Sequence, residues 1–246
     1  MEEEFCHVDQ WAAEAYLTAL DAAESAYLDL LAKGIKIHKW LLERIQERFP
    51  EECKKALFDY DDAKQFVHSL NYGAEPAKMS RESGLVLYAC QWAYDFYHGT
   101  FPRIKYRQQR IAHELETSKF LVSILGRKRI FLAPRSHELL NKGYAWPSQS
   151  VIGELTNIAI TKIYYFGRVL CDPWMFPALN THDGTAIRIL RGTREKVIER
   201  VSQAFNIPLT KYGMTVVIPI EIGFGNSFNE CTDKVIIRYP NGNNKS

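Results

Sequence analysis

Strand-like and helix-like segments are spread very unevenly along this chain, and that distribution is the strongest constraint on its fold. Residues 4–8, Glu-Phe-Cys-His-Val, read as a short strand. From Trp11 to about Leu170 the spacing of apolar residues is helical almost throughout, interrupted by a strand-like stretch at 128–133. Alternation returns only in the last third. Segments 177–181 and 185–190 flank a His182-Asp183-Gly184 turn, which is a hairpin signal. Residues 215–222 are β-rich and 234–238 form a final strand candidate. Strand, many helices, then a β-rich end with helices packed on it is an α+β pattern.

Gly and Pro punctuate the helical stretch. The spacing predicts helices over 11–31 (ended by Gly34), 37–49 (stopped by Pro50), 59–72 (closed by Gly73), 83–98 (followed by Gly99 and Pro102) and 104–125 (ended by Gly126). Pro147 is read as the start of a long helix to about Leu170, and 194–205 is another. The tail from Pro240 to Ser246 is polar and expected to be loose.

At 246 residues the chain makes one large domain or two modest ones, with core enough to fold without staples. Composition excludes disorder, collagen and coiled-coil classes. No apolar run reaches the length of a membrane span. The acidic start, Met1-Glu2-Glu3-Glu4, lacks the basic region of a signal peptide. The cysteines (Cys6, Cys53, Cys90, Cys171, Cys231) are scattered and form no C-x-x-C, which argues against a disulfide framework or a zinc ribbon and for a cytoplasmic protein.

A net charge of +2 conceals two opposed regions. Residues 1–32 hold eight acids and no Lys or Arg, whereas residues 103–142 hold ten bases against three acids. A basic excess of that kind suits a phosphate-tracking surface, or simply a solvated helix face.

Three local constellations carry chemistry. Asp9 stands at a strand end just before a helix, with Glu14 one helical turn beyond, which suits either a helix N-cap or a hard cation. On the helix 59–72, Lys64, His68 and Tyr72 form one stripe, while Ala63, Phe66, Val67 and Leu70 form an apolar one that faces the core. A cation, an imidazole and a phenol in a row suit a triphosphate, a sugar and a base. Asp183 at the hairpin tip, beside the strand that ends in Asp9, brings two carboxylates to one edge, as two-metal phosphoryl transfer requires. A simple Asp-Gly turn would look the same.

Order and spacing together resemble a known family. Asp9-x4-Glu14, Gly34-Ile35-Lys36-Ile37-His38, Lys64-x3-His68-x3-Tyr72-Gly73, Gly126-Arg127-Lys128-Arg129, Pro147-Ser148-Gln149 and His182-Asp183 run in one order. This looks like the C-terminal half of a phage-like family A DNA polymerase, the polymerase I type, over roughly residues 5–230. The segments resemble its motifs A, B and C. The resemblance implies a palm with an antiparallel sheet and a helical fingers subdomain, with palm at 1–37, fingers at 38–130, palm again at 131–239 and a tail at 240–246.

The implied activity is DNA-templated addition of dNTPs to a primer 3′-hydroxyl. By resemblance, Asp9 and Asp183 would be the catalytic pair and hold two Mg²⁺ ions, with Mn²⁺ a possible substitute. Glu14 would be the steric gate against a 2′-hydroxyl. Lys64, His68, Tyr72 and His38 would bind the incoming nucleotide. Gln149 and His182 would lie at the primer end, and Arg127 and Arg129 would track the DNA backbone. A phage-type single-subunit RNA polymerase fragment and a degenerate, non-catalytic DNA-binding or processivity module are the alternatives. Departures from the family pattern are Tyr60 where an Arg is usual, His68 for Phe, Ala145 for Asn and Gly184 for the carboxylate after the motif C Asp. Because the family places a thumb, the first palm strands and often an exonuclease before motif A, the resemblance implies a split enzyme. A second polypeptide would carry those parts, and primer-template DNA and dNTPs would be the other partners, in the cytoplasm of a host if the chain is phage-encoded.

Overall fold

The computed structural model describes residues 2–169 and 175–239. Leu170, Cys171 and the tail from Pro240 to Ser246 lie outside those residues. In chain order the elements are β1 (Glu3–Gln10), α1 (Ala13–Ala22), α2 (Ser25–Ala32), α3 (Ile37–Arg48), α4 (Pro50–Ala56), α5 (Tyr60–Asn71), α6 (Pro76–Ser83), α7 (Leu87–Thr100), α8 (Pro102–Thr117), β2 (Phe120–Val122), β3 (Lys128–Ile130), α9 (His137–Val169), β4 (Met175–Asn180), β5 (Gly184–Leu190), α10 (Arg194–Phe205), β6 (Leu209–Lys211), β7 (Met214–Val216), β8 (Ile220–Gly225) and β9 (Asp233–Ile237), with a short 3-10 turn at Phe228–Glu230. Among the described residues no helix is long and apolar enough to cross a membrane.

The chain divides into two compact units, Met1–Glu14 with Ser148–Ser246, and Ala15–Pro147. The boundaries between them fall inside α1 and inside α9.

The first unit is built on an antiparallel sheet in the order β4-β5-β1-β8-β9. The N-terminal strand pairs with β5 over Glu3 to Asp9 and with β8 over Phe5 to Gln10, so it sits at the sheet's centre. Strand alternation decides the faces. Cys6 and Val8 of β1, Ile187 and Ile189 of β5, and Ile220 and Ile222 of β8 point to one side. There they pack on Ala159 and Ile163 of α9 and on Val197, Val201 and Phe205 of α10. Glu4 also lies on that side, only 3% exposed. It is neutralised by Arg194, whose Nη2 donates to Glu4 Oε2 at 2.6 Å and whose guanidinium lies over the Phe224 ring. The opposite face carries Phe5, His7 and Asp9.

The second unit is helical. Asp59 starts α5 with a capping box: its carboxylate accepts from the Asp61 and Asp62 backbone N–H groups, and Asp62 reaches back to the Asp59 N–H. Ala63, Phe66, Val67 and Leu70 are buried, while Lys64 is exposed. Tyr72 is the C-cap and Gly73 follows at φ 76°, a left-handed conformation that glycine adopts without strain. Gln108 Nε2 donates to the Leu70 and Asn71 carbonyls, so α8 satisfies the open end of α5.

The buried Tyr97 hydroxyl donates to Asn71 Oδ1 at 2.7 Å. Tyr97→Phe leaves that amide oxygen buried and unpaired, and should lower unfolding free energy by about 1–3 kcal/mol in a urea titration.

The opposed charges partly meet inside this unit. Asp21 accepts from Arg107 Nε at 2.6 Å and from Arg110 Nη2 at 2.8 Å. The Arg107 side chain is fully buried and also donates to the Tyr144 carbonyl. Glu24 accepts from the Arg103 backbone N–H. Arg135 pairs with Glu116, and Lys142 with Glu138. Several bases of the 103–142 stretch are therefore in structural ion pairs, while Arg127, Lys128 and Arg129 lie exposed at the β2–β3 hairpin.

Several expected elements are divided differently. The helix read over 11–31 breaks at Ala23, which adopts φ 56° where α1 closes on itself through Ala23 N–H to Leu20 O and Glu24 N–H to Ala19 O. Residues 120–122, read as the end of a helix, form β2. The long helix begins at His137, ten residues before Pro147, which lies inside it. Leu139 and Trp146 pack with Ile111, Leu115 and Phe131, so burial keeps the preceding turns helical despite the proline. The β-rich stretch 215–222 is two strands, β7 and β8, separated at Pro219, whose carbonyl accepts from Trp11 N–H.

Candidate active site

The open face of the sheet gathers carboxylates. In the register, Asp9 pairs with Gly184 on one side and with Glu221 on the other. Asp183 directly precedes Gly184, and its carbonyl accepts from the Gln10 N–H at 3.0 Å. Motif-like segments at the two ends of the sequence thus meet at one sheet edge. The Asp9 carboxyl is pushed up to about 6, first by burial and then by the negative charges of Asp183 and Glu221; Lys234 and the Gln10 N–H pull the other way. Lys234 Nζ donates to Glu221 Oε1, and this contact raises the lysine's pKa.

Glu221 and Lys234 were not singled out from the sequence. Parity along β8, Ile-Glu-Ile, would have placed Glu221 away from the core. Its position opposite Asp9 depends on a strand pairing that parity does not supply.

Among the described residues no group of three His, Cys, Asp or Glu side chains is gathered so as to enclose a metal. The donor set is an open one. Carboxylates from two adjacent chain segments fit a hard cation such as Mg²⁺, which keeps several waters or takes ligand phosphate oxygens rather than sitting in an all-protein cage. Beyond the effect of burial, the contribution of Asp183 and Glu221 to the raised Asp9 pKa is the electrostatic counterpart of that fit, because clustered negative charge favours either a proton or a cation.

A polar chain runs beside the carboxylates. Gln149 Nε2 donates to Glu14 Oε2 at 3.0 Å, and Gln149 Oε1 lies 3.1 Å from His182 Nε2. With the amide nitrogen directed at Glu14, its oxygen faces the imidazole, so His182 Nε2 carries the proton in this pair. The His182 ring lies over Gly153, where an added Cβ would stand 3.2 Å from it. His182 adopts φ 73°, a strained conformation for a residue with a side chain. Its backbone is held from both sides: Asn180 Oδ1 accepts from its N–H at 2.9 Å, and Thr156 Oγ1 bonds to its carbonyl at 2.7 Å. Thr156 is also bonded to Gln10 Nε2 at 2.7 Å, which ties β1, α9 and the Asp183 turn together.

The residues expected to grip a nucleotide lie in the helical unit. His38 at the start of α3 and Tyr60 at the start of α5 meet edge to face, with His38 Nε2 2.6 Å from the Tyr60 hydroxyl. Lys36 Nζ is 3.5 Å from the same hydroxyl. The His38 pKa is pushed down to about 4 by burial and by the charges of Lys36, Lys64 and His68. Those bases therefore share one neighbourhood. His68 and Tyr72 stand one turn apart, their ring centroids 6.2 Å apart. Arg127 and Arg129 are exposed on the β2–β3 hairpin, where Arg129 also covers Phe131.

No family model matches the sequence, and no curated protein matches it. Among solved structures, the chain is similar to the POL domain of Pol1 from M. smegmatis, solved in complex with DNA primer-template and dNTP. The TM-score is 0.75 at 13% identity, over 93% of this chain and 40% of that one. The chain thus spans well under half the length of that neighbour. The fold is α+β and of the polymerase palm-and-fingers type.

Proposed function

We propose that this chain is the palm and fingers of a DNA-templated DNA polymerase. The observation that carries the reading is the register of Asp9 with the Gly184 that follows Asp183, within a fold similar to a polymerase domain solved with primer-template and dNTP. In this reading the primer 3′-oxygen bonds to the α-phosphorus of a dNTP as the bond from that phosphorus to pyrophosphate breaks, and the hydroxyl proton leaves. Asp9 and Asp183 would hold two Mg²⁺ ions, or Mn²⁺ in their place, whose charge acidifies the primer hydroxyl and offsets the phosphate charge.

The remaining residues bind and orient. Lys64, with His38 and His68, meets the triphosphate; Tyr72 lies by the nascent base pair; Glu14, braced by Gln149, excludes a 2′-hydroxyl. Gln149 and His182 contact the primer end, and Arg127 and Arg129 contact backbone phosphates. The test is primer extension with Mg²⁺ by the chain and whatever polypeptide co-purifies with it. Extension with dNTPs is expected. Equal use of rNTPs points instead to an RNA polymerase, and DNA binding without extension to a non-catalytic module.

A further inference from the structure

Resting on the reading of α5 as a nucleotide-gripping helix, we propose that Lys36 is a further phosphate-binding cation of that site, held in place by Tyr60. Three observations converge on it. First, the Lys36 ammonium lies beside the Tyr60 hydroxyl, at 3.5 Å, although the two residues belong to different segments. Second, that hydroxyl is also bonded to His38 at 2.6 Å. An ammonium has no acceptor, so Lys36 donates to the phenol oxygen and the phenol proton goes to His38 Nε2. The imidazole proton is then on Nδ1, where it remains a donor. Third, among the described residues neither Lys36 nor Lys64 is in an ion pair. The nearby acids Asp59 and Asp62 are turned to the backbone N–H groups of the capping box. The His38 pKa is depressed first by burial and then by the positive charges of Lys36 and Lys64, which places both lysines near it.

Two lysines outside any ion pair call for an anion, and two separated cations suit a chain of phosphates better than a single one. Tyr60 occupies the position four residues before Lys64 where the resembled motif has an Arg. The phenol supplies no charge of its own. By bonding Lys36 it brings one from the segment before α3 to the same place.

The test measures inorganic tripolyphosphate binding to the full chain by calorimetry, without DNA or divalent ions, so that no step of catalysis is involved. Lys36→Gln should weaken binding about 10-fold, and Lys36→Arg should restore it to within about 3-fold. Tyr60→Phe, which frees the lysine but leaves its charge, should fall between. Lys36 precedes α3 and makes no side-chain cap there, so these variants should fold, as circular dichroism would verify. In primer extension, Lys36→Gln should raise the dNTP KM about 10-fold with little change in kcat. If Lys64→Gln weakens tripolyphosphate binding and Lys36→Gln does not, the role of Lys36 is wrong while the nucleotide site stands. If neither substitution changes binding, or wild type binds none, the nucleotide site itself is wrong.

Discussion

Asp183→Ala, like Asp9→Ala, should slow primer extension by about 1,000-fold or more while leaving the fold and DNA binding intact. In the proposed reading each removes a carboxylate that helps offset the charge developing on the phosphates, where electrostatic contributions to rate are largest. Unchanged DNA synthesis by either variant would sink the proposed catalytic role. The same site makes a prediction that needs no activity. Asp9 has a folded-state pKa of about 6, against about 3.9 in an unfolded chain. Below the lower value both states hold the proton and the group is silent. As pH rises between the two, only the unfolded chain releases its proton, so folding stability falls, and the loss is complete above the folded value. Allowing for solvent screening of this partly exposed group, that loss is about 1–2 kcal/mol. Asp9→Asn should therefore be more stable than wild type by about that amount at pH 8 and equal to it at pH 3. Added Mg²⁺ should raise the melting temperature of wild type and not of Asp9→Asn.

Gly184→Glu, which restores the carboxylate usual in the resembled family, should cost at least about 3 kcal/mol and abolish rather than improve activity. A Cβ at this position collides with the Val8 carbonyl oxygen of the neighbouring strand and stands 3.2 Å from the Asp9 Cα. Both are backbone atoms of the central strand, so relief requires the sheet to move. Gly184→Ala should show most of the same loss, which separates the clash from the added charge. Urea titration of both variants measures it; wild-type stability in Gly184→Ala would show the strands can part at no cost. The third carboxylate of this site in the fold is Glu221, presented from the opposite side of Asp9.

What could be read from the sequence followed from periodicity. The apolar stripe of α5 and its polar companion were legible because a regular helix converts spacing directly into faces. The hairpin of β4 and β5 was legible because two alternating segments flank an Asp-Gly turn. The break at Ala23 was not, since alanine carries no turn signal and the left-handed φ is imposed by the bonds that close α1. Pro147 misled for a related reason: a helix-breaking residue held inside a helix by tertiary packing looks, locally, like a helix start. The Lys36–Tyr60–His38 chain and the Glu221–Lys234 pair join residues from separate segments. Neither leaves a mark in local spacing.

The Asp183 turn will not transplant. A hairpin excised as residues 175–190 keeps Asn180 but loses Thr156, whose hydroxyl holds the His182 carbonyl, and the Gln10 amide that steadies Thr156. The unusual backbone at His182 is thus a property of three chain segments together. Grafting the His-Asp dipeptide onto another antiparallel scaffold carries over the letters without the shape, and a search for the same site elsewhere is better made by backbone geometry than by sequence.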